Sequence, residues 1–449
     1  MEWANKKILV VGLGKSGEAA ARYAAMRGAC VTIAESRDAS MVRDAMARLD
    51  TFSITYRFGA HATADFQNAD LIIPSPGVPL QIAPLQAARA AEIPIWNEME
   101  CALREITVPI IAITGTNGKT TTTALLGEIF RAAGRRVVVG GNIGSPLLDL
   151  MSDVANAEIV VLEVSSYQIE GALSLNPATT ILLNITPDHL DHYPSFDAYV
   201  AAKKLLTDRL DAAQTLIVAA SDVVAQKIGA QSRARCVWVR RDEWNDGRVR
   251  VQLPNSEQTW DLRQMRLCGA HNHDNVMAAG CAAALHGVEA RVIEQTICAF
   301  AGLPHRCELV HEWNGVRFVD DSKGTNVGAV AQALAGFSAP VILIAGGLDK
   351  GTGYNDLREP VRQHVKQLIT IGQARHIITE ALQDCAVTIA VETMQDAVQH
   401  AIHVAAPGDV VLLSPACSSF DQYKNYAERG DDFVKWAKHF SEGRKDVGT

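Results

Sequence analysis

What the chain has little of narrows its class. Its nine cysteines are scattered, and no two stand in a CxxC spacing. That pattern fits a reducing cytosol in which most thiols are small core residues. A basic face is also missing: 42 Lys and Arg against 50 Asp and Glu leave a net charge of −8. This argues against a nucleic-acid partner, so any anionic substrate must be held by local positive groups. No apolar run approaches the roughly 18 residues of a membrane-spanning helix. The short apolar run before Gly12 follows an acid at Glu2 and reads as a first strand, not a signal peptide. Internal repeats and low-complexity linkers are lacking. Hydrophobic residues at 48% and charged residues at 20% are ordinary globular values. The expectation is a soluble, cytoplasmic protein of several domains, because 449 residues exceed what one core holds.

What is present is an α/β rhythm. Short β-branched runs such as 8–11, 110–113, 159–162, 181–184, 341–344 and 410–413 alternate with Ala-rich helical stretches, the pattern of parallel sheets. Boundaries near 98–107 and 302–305 divide the chain into residues 1–98, 99–303 and 304–449. Residues 236–267 are more polar, with Asn-Asp-Gly and Leu-Pro-Asn turn signals, and suggest a β-rich appendage of the middle unit.

Two glycine loops carry the strongest chemistry. Gly12-Leu13-Gly14-Lys15-Ser16-Gly17 follows a strand, and Glu35 ends the next one, which is locally a dinucleotide fingerprint. Three readings stand beside each other: NAD, another anionic ligand on the same helix N-terminus, or a glycine turn for tight packing. The unit closes near residue 98, short for the two halves that a dinucleotide needs. Gly115-Thr116-Asn117-Gly118-Lys119-Thr120-Thr121 is a shortened relative of GxxxxGK[ST] between a buried strand and a helix. Its backbone N–H groups would hold a β-phosphate, Lys119 would reach the β/γ oxygens and Thr120 would meet Mg²⁺.

Other polar clusters also follow strands. Glu163 ends one, and Asp188, His189, Asp191 and His192 place four possible ligands after another; hard oxygen donors there suit Mg²⁺, and an imidazole can join them. Clusters at 320–326, 346–351 and 414–419 line the carboxyl ends of later strands, where open sheets bind ligands, although each could serve as a helix cap. Cys417 reads as a buried thiol rather than a nucleophile, since no His–Asn arrangement accompanies it.

The ordered series GLGKSG, SPG (75–77), TGTNGKTT (114–121), GNIG (141–144), LEVSSYQ (162–168), NITPDHLDHY (184–193), YVAAK (199–203), GAHNHDN (269–275), GLPHR (302–306), DDSKGTN (320–326), GGLDKG (346–351) and SPACSSFDQYKNY (414–426) resembles the Mur ligase family over essentially the whole chain. Within it the likeness is strongest to the branch that joins UDP-N-acetylmuramoyl-L-alanine to D-glutamate. The resemblance implies three domains: a Rossmann-like one for the UDP-substrate, a central P-loop ATPase-like one with a mostly parallel sheet, and a C-terminal Rossmann-like one for glutamate. It implies ATP and two Mg²⁺ ions, an acyl phosphate intermediate, and a monomer without membrane insertion.

Roles transfer position by position. Lys119, His189 and Lys203 would be catalytic, with Lys203 carbamylated, although Lys204 stands beside it. Thr120, Glu163, His189 and Lys203 would hold metal. Residues 115–121 with Asn272, Asn275, Arg306, Asp321 and Lys323 would bind ATP. Residues 12–16, Glu35, Ser36, Arg37, Ser75, Gly77, Asn142 and His189 would bind the UDP-substrate, and Thr325, Lys350, Ser419 and Tyr426 the glutamate. Because groups from three domains must then converge, an open-to-closed hinge is expected, with the third domain swinging in on ATP. The competitors are an NAD-dependent oxidoreductase built on residues 12–35, the same ligation with L-glutamate, a folylpolyglutamate-type ligase, and a nucleotide-regulated binding protein without catalysis.

Overall fold

A computed structural model describes residues 2–190, 192–267, 269–351 and 353–442, and the chain forms three successive α/β domains. The first holds a four-stranded parallel sheet in the spatial order Ile54–Phe58, Cys30–Glu35, Lys7–Val11, Leu71–Pro74. That is one mononucleotide-type half and no more.

The central sheet has six parallel strands, in the order Arg235–Val239, Thr215–Ala219, Thr179–Leu182, Ile110–Thr114, Ile159–Glu163, Val137–Gly141. Its inner strands are buried throughout, which is why they read as unbroken apolar runs. The appendage is a small antiparallel sheet of Trp244–Asn245, Arg248–Leu253 and Ser256–Asp261. Trp260 seats it on helix Ala270–Leu285 at Gly280, where a Cβ would come within 2.6 Å of the indole.

The C-terminal sheet runs Glu308–Trp313, Val316–Asp320, Val410–Leu413, Val341–Gly346, Val365–Ile371, Val387–Ala390. Only the first of these pairs antiparallel.

Three strands escape the apolar-run reading: Ile54–Phe58, Arg235–Val239 and Glu308–Trp313. Each is an edge strand with one solvated side, so its burial is patchy and no continuous apolar run is needed. The first part of the expected 236–267 appendage therefore belongs to the central parallel sheet. The strand expected over 181–184 spans Thr179–Leu182; Leu183 N–H still donates to Thr114 O at 3.1 Å, and Asn184 is engaged by the phosphate loop.

One hydrophobic cluster runs without a break from Ile8, Val10 and Ile33 through Met99 to Ala112 and Leu162. It joins the first two domains, and Glu105 reinforces it by accepting from Trp3 and Tyr23 and pairing with Arg27 at 3.2 Å. The C-terminal domain keeps cores of its own.

Candidate functional site

The phosphate loop hangs from the middle of the central sheet. Gly115 and Gly118 have φ of +147° and +86°, and a Cβ on Gly118 would stand 2.2 Å from Asn275 Oδ1. Only glycine fits there. The loop is held from below: Thr116 N–H donates to Asn184 O at 2.7 Å. The Asn184 side chain grips Asn117 at both ends, accepting from its N–H at 2.9 Å and donating to its carbonyl at 3.0 Å. Thr116 Oγ1 lies 3.2 Å from Tyr199 OH. Helix Lys119–Ala132 begins at the loop, so its unpaired N–H groups face the mouth.

Two buried lysines meet this loop. Lys119 Nζ donates to Gly115 O at 2.9 Å and Thr116 O at 2.7 Å, and burial holds its ammonium below the usual lysine range. Lys203, 2% exposed, donates to the same Gly115 O at 2.9 Å and lies 4.7 Å from the Tyr199 ring centre. Burial, then the charge of Lys119, pushes Lys203 well below an ordinary lysine. Lys204 turns away to Asp208 at 2.5 Å.

Glu163 ends the neighbouring strand, and its Oε1 accepts from Asn142 at 3.0 Å. Its Oε2 is buried with no hydrogen-bond partner. An unpartnered buried carboxylate oxygen beside a phosphate loop is a fit donor for a hard divalent cation. His189 sits in a left-handed backbone, φ +56°, with its N–H on Asp188 Oδ1 at 2.9 Å. Its ring packs edge-on to Tyr167 at 5.2 Å. Asp191 lies outside the described residues. Lys203, as an amine that donates to Gly115 O, adds no ligand for a second ion.

A crevice opens between the central and C-terminal domains, lined by Asn117, Gly118, Thr121, Asn272, Asn275, Arg306, Asp321 and Lys323. Asn275 donates to Asn272 Oδ1 at 2.9 Å. Arg306 reaches across to donate to Thr120 Oγ1 at 2.6 Å. Burial lifts Asp321 to about 7, against hydrogen bonding from Ser414 at 2.7 Å. Lys323 is brought down to about 8 by burial and then by Arg306, and its Nζ lies 4.1 Å from the Tyr426 ring centre.

The three C-terminal clusters end on adjoining strands. Leu348 and Ser418 exchange backbone bonds, which brings the loop of Lys350 against that of buried Ser419. Thr325 follows Lys323 on the first of these loops. The residue that ties them was not singled out from the sequence. Arg429, 1% exposed, donates to Ser322 Oγ at 3.0 Å, Ser322 O at 2.8 Å and Cys417 O at 3.2 Å. Burial lowers it to about 10. In the sequence it is one more arginine of a charged helix, and nothing local marks it as interior. Cys417 is buried, and its thiol is pushed up to about 11 by burial, as suits an inert position.

In the first domain, a Cβ on Gly17 would strike Gly12 O at 2.1 Å, the close helix–strand approach that the motif demands. Ser75 Oγ braces the loop by donating to Gly12 O at 2.8 Å. Glu35 is fully engaged: Leu13 N–H donates at 2.7 Å and the Arg37 guanidinium at 2.8 and 3.0 Å, chiefly holding the carboxylate at about 2. Lys15, Ser36, Arg37 and Gly77 are exposed around it, with Ser16 half-buried. Asn142 stands with Glu163 in the central site instead.

Comparison with known proteins agrees along the chain. Residues 6–97 match the Mur ligase MurD-like N-terminal domain, 113–283 the Mur ligase middle domain, and 305–417 the Mur ligase glutamate ligase domain. A UDP-N-acetylmuramoylalanine–D-glutamate ligase of Geotalea uraniireducens (strain Rf4) is 42% identical over 99% of both chains. The protein of that name from Geobacter sp. (strain M21) is 42% identical over 96% of this chain and 97% of its own. Among solved structures, a MurF ligase of Thermotoga maritima in complex with ADP superposes with a TM-score of 0.63 at 15% identity, covering 92% of this chain and 96% of that one. A pseudomurein peptide ligase type C of Methanothermus fervidus gives 0.60 at 18%, over 98% and 100%.

Proposed function

This chain belongs to the Mur ligase family, and from that premise we propose that it joins UDP-N-acetylmuramoyl-L-alanine to D-glutamate at the expense of ATP, in peptidoglycan precursor synthesis. The observation that carries the reading is the meeting, at one crevice, of the phosphate loop at Asn117 and Gly118 with the C-terminal cations Arg306 and Lys323, with the Glu163 carboxylate close enough to act on Lys119 and on both cations.

The alanine carboxylate attacks the γ-phosphorus, giving an acyl phosphate and ADP. The glutamate amine then adds to the acyl carbon, and the tetrahedral intermediate expels phosphate to leave the amide. Such chemistry needs positioning and neutralisation of charge. Lys119, the loop N–H groups and Arg306 would take the phosphoryl charge. Mg²⁺, held by Glu163 and Thr120 when bound, supplies further neutralisation of the phosphates. Thr325, Lys350, Ser419 and Tyr426 would receive the glutamate carboxylates. Residues 12–16 and 35–37, with Ser75 and Gly77, would hold the UDP moiety.

A carbamate on Lys203 completes the reading. Burial and the neighbouring charge of Lys119 weaken the hold of Lys203 on its proton. Once the proton is lost, the lone pair can add to CO₂ with loss of a further proton, and the resulting carboxylate would join His189 in holding a second ion. The continuous core of the first two domains supports a swing confined to the third. The same reading puts the enzyme in the cytoplasm as a monomer. Among the described residues no helix is long and apolar enough to cross a membrane. Against an NAD site, both oxygens of Glu35 are already bonded to Leu13 and Arg37 rather than open to a ribose.

The test is ADP and phosphate release from ATP with UDP-N-acetylmuramoyl-L-alanine and each glutamate enantiomer. Release with the D-isomer alone is expected, and silence with both overturns the assignment.

A further inference from the structure

We propose that Asn326 is a positioning residue which couples seating of the C-terminal domain to assembly of the phosphoryl-transfer site; this rests on the ligase reading above. One side chain touches three elements. Its Oδ1 accepts from Ala329 N–H at 2.8 Å, capping helix Val327–Leu334. Its Nδ2 donates across the domain boundary to Asp188 Oδ2 at 3.1 Å and Asn117 Oδ1 at 3.2 Å. Asn326 is buried, so these bonds are made away from water.

Both acceptors belong to the chemistry. Asp188 holds the backbone N–H of His189 on its other oxygen, and Asn117 is the loop residue gripped by Asn184. A single amide therefore reports the position of the phosphate loop and of the His189 turn to the helix behind Thr325. The first turn of the helix is made for close approach. A Cβ on Gly328 would lie 3.1 Å from Thr186 Oγ1 and 3.5 Å from Asn117 Nδ2. Those two atoms are buried without partners, so the apposition is costly and the Asn326 bonds offset that cost.

A plain helix cap accounts for only one of the three bonds. Serine and aspartate cap as well as asparagine does, but neither supplies the two donors. Aspartate also sets a like charge against Asp188.

The decisive variants are therefore Asn326→Ser and Asn326→Asp, compared with the unmutated full chain. The readouts are steady-state kinetics, thermal midpoint, and small-angle scattering with and without ATP analogue plus UDP-substrate. Loss of a charge-assisted bond predicts a fall of about tenfold or more in kcat/KM for glutamate, with aspartate worse than serine. The midpoint should hold, and the scattering profile should be more expanded than that of the unmutated chain. Two outcomes overturn the proposal: unchanged kinetics and scattering in both variants, or a lowered midpoint with unchanged KM, which is the mark of a cap alone. An inactive unmutated enzyme would sink the ligase reading instead, and the scattering of the three proteins would still decide the contact.

Discussion

Lys119 and Lys203 share one acceptor, the carbonyl of Gly115, each with Nζ at 2.9 Å. Two buried ammonium groups on one carbonyl repel, and both are held below the ordinary lysine range. The pair is relieved if one amine is converted into an anion, and Lys203 makes one bond to the loop where Lys119 makes two.

Labelled bicarbonate should therefore give a carbamate signal by carbon NMR in the intact enzyme. Lys204→Ala should keep that signal, and Lys203→Met should lose it together with turnover. A signal that survives Lys203→Met would place the modification elsewhere.

Glu163 keeps one buried oxygen without a partner. Replacing it by glutamine leaves the Asn142 contact on Oε1 but removes the anionic donor. Magnesium titration of Glu163→Gln should show half-saturation raised by at least about tenfold and kcat reduced by about a hundredfold. Normal magnesium dependence would remove Glu163 from the metal.

Asp321 gives a pH dependence of stability. Its folded value of about 7 lies above the ordinary 3.8, so the folded state binds the proton more tightly than the unfolded one. Stability is then lost as pH rises between those values, because the buried carboxyl must ionise. Thermal unfolding of Asp321→Asn and the unmutated protein from pH 5 to 8 should show the asparagine variant gaining on the other up to about pH 7 and levelling off above it. A constant difference across that range would contradict the assignment.

Arg429 is a buried guanidinium resting on carbonyls and on the Ser322 hydroxyl. Lysine keeps the charge but cannot reproduce the fork. Arg429→Lys should cost about 2 kcal/mol or more of stability in denaturant titration. It should also raise KM for glutamate more than KM for ATP, since it ties the loop of Thr325 to that of Ser419 and, through Gly346 O at 3.4 Å, to that of Lys350. Equal changes in both constants would argue for a general loosening.

Much of the molecule is legible in the sequence because parallel sheets bury both faces of their strands. The runs 110–113, 159–162 and 410–413 announce themselves, and the polar clusters behind them fall at carboxyl ends, where ligands bind. Edge strands such as Glu308–Trp313 do not, since one side is wet and their polarity matches that of a loop. The same limit hid Arg429 and the bridging role of Asn326, whose partners lie in distant segments of the chain.

By itself the sequence determined which residue types follow which strand, and hence that glycines, lysines and carboxylates would gather at sheet ends. Local periodicity and turn chemistry act over a few residues and suffice for that. Only the tertiary structure decided which of two adjacent lysines faces the loop, that Glu35 is closed off by Leu13 and Arg37, and that one asparagine bridges two domains. Those choices depend on strand order and domain apposition, which bring together groups far apart in the chain and which no local pattern encodes.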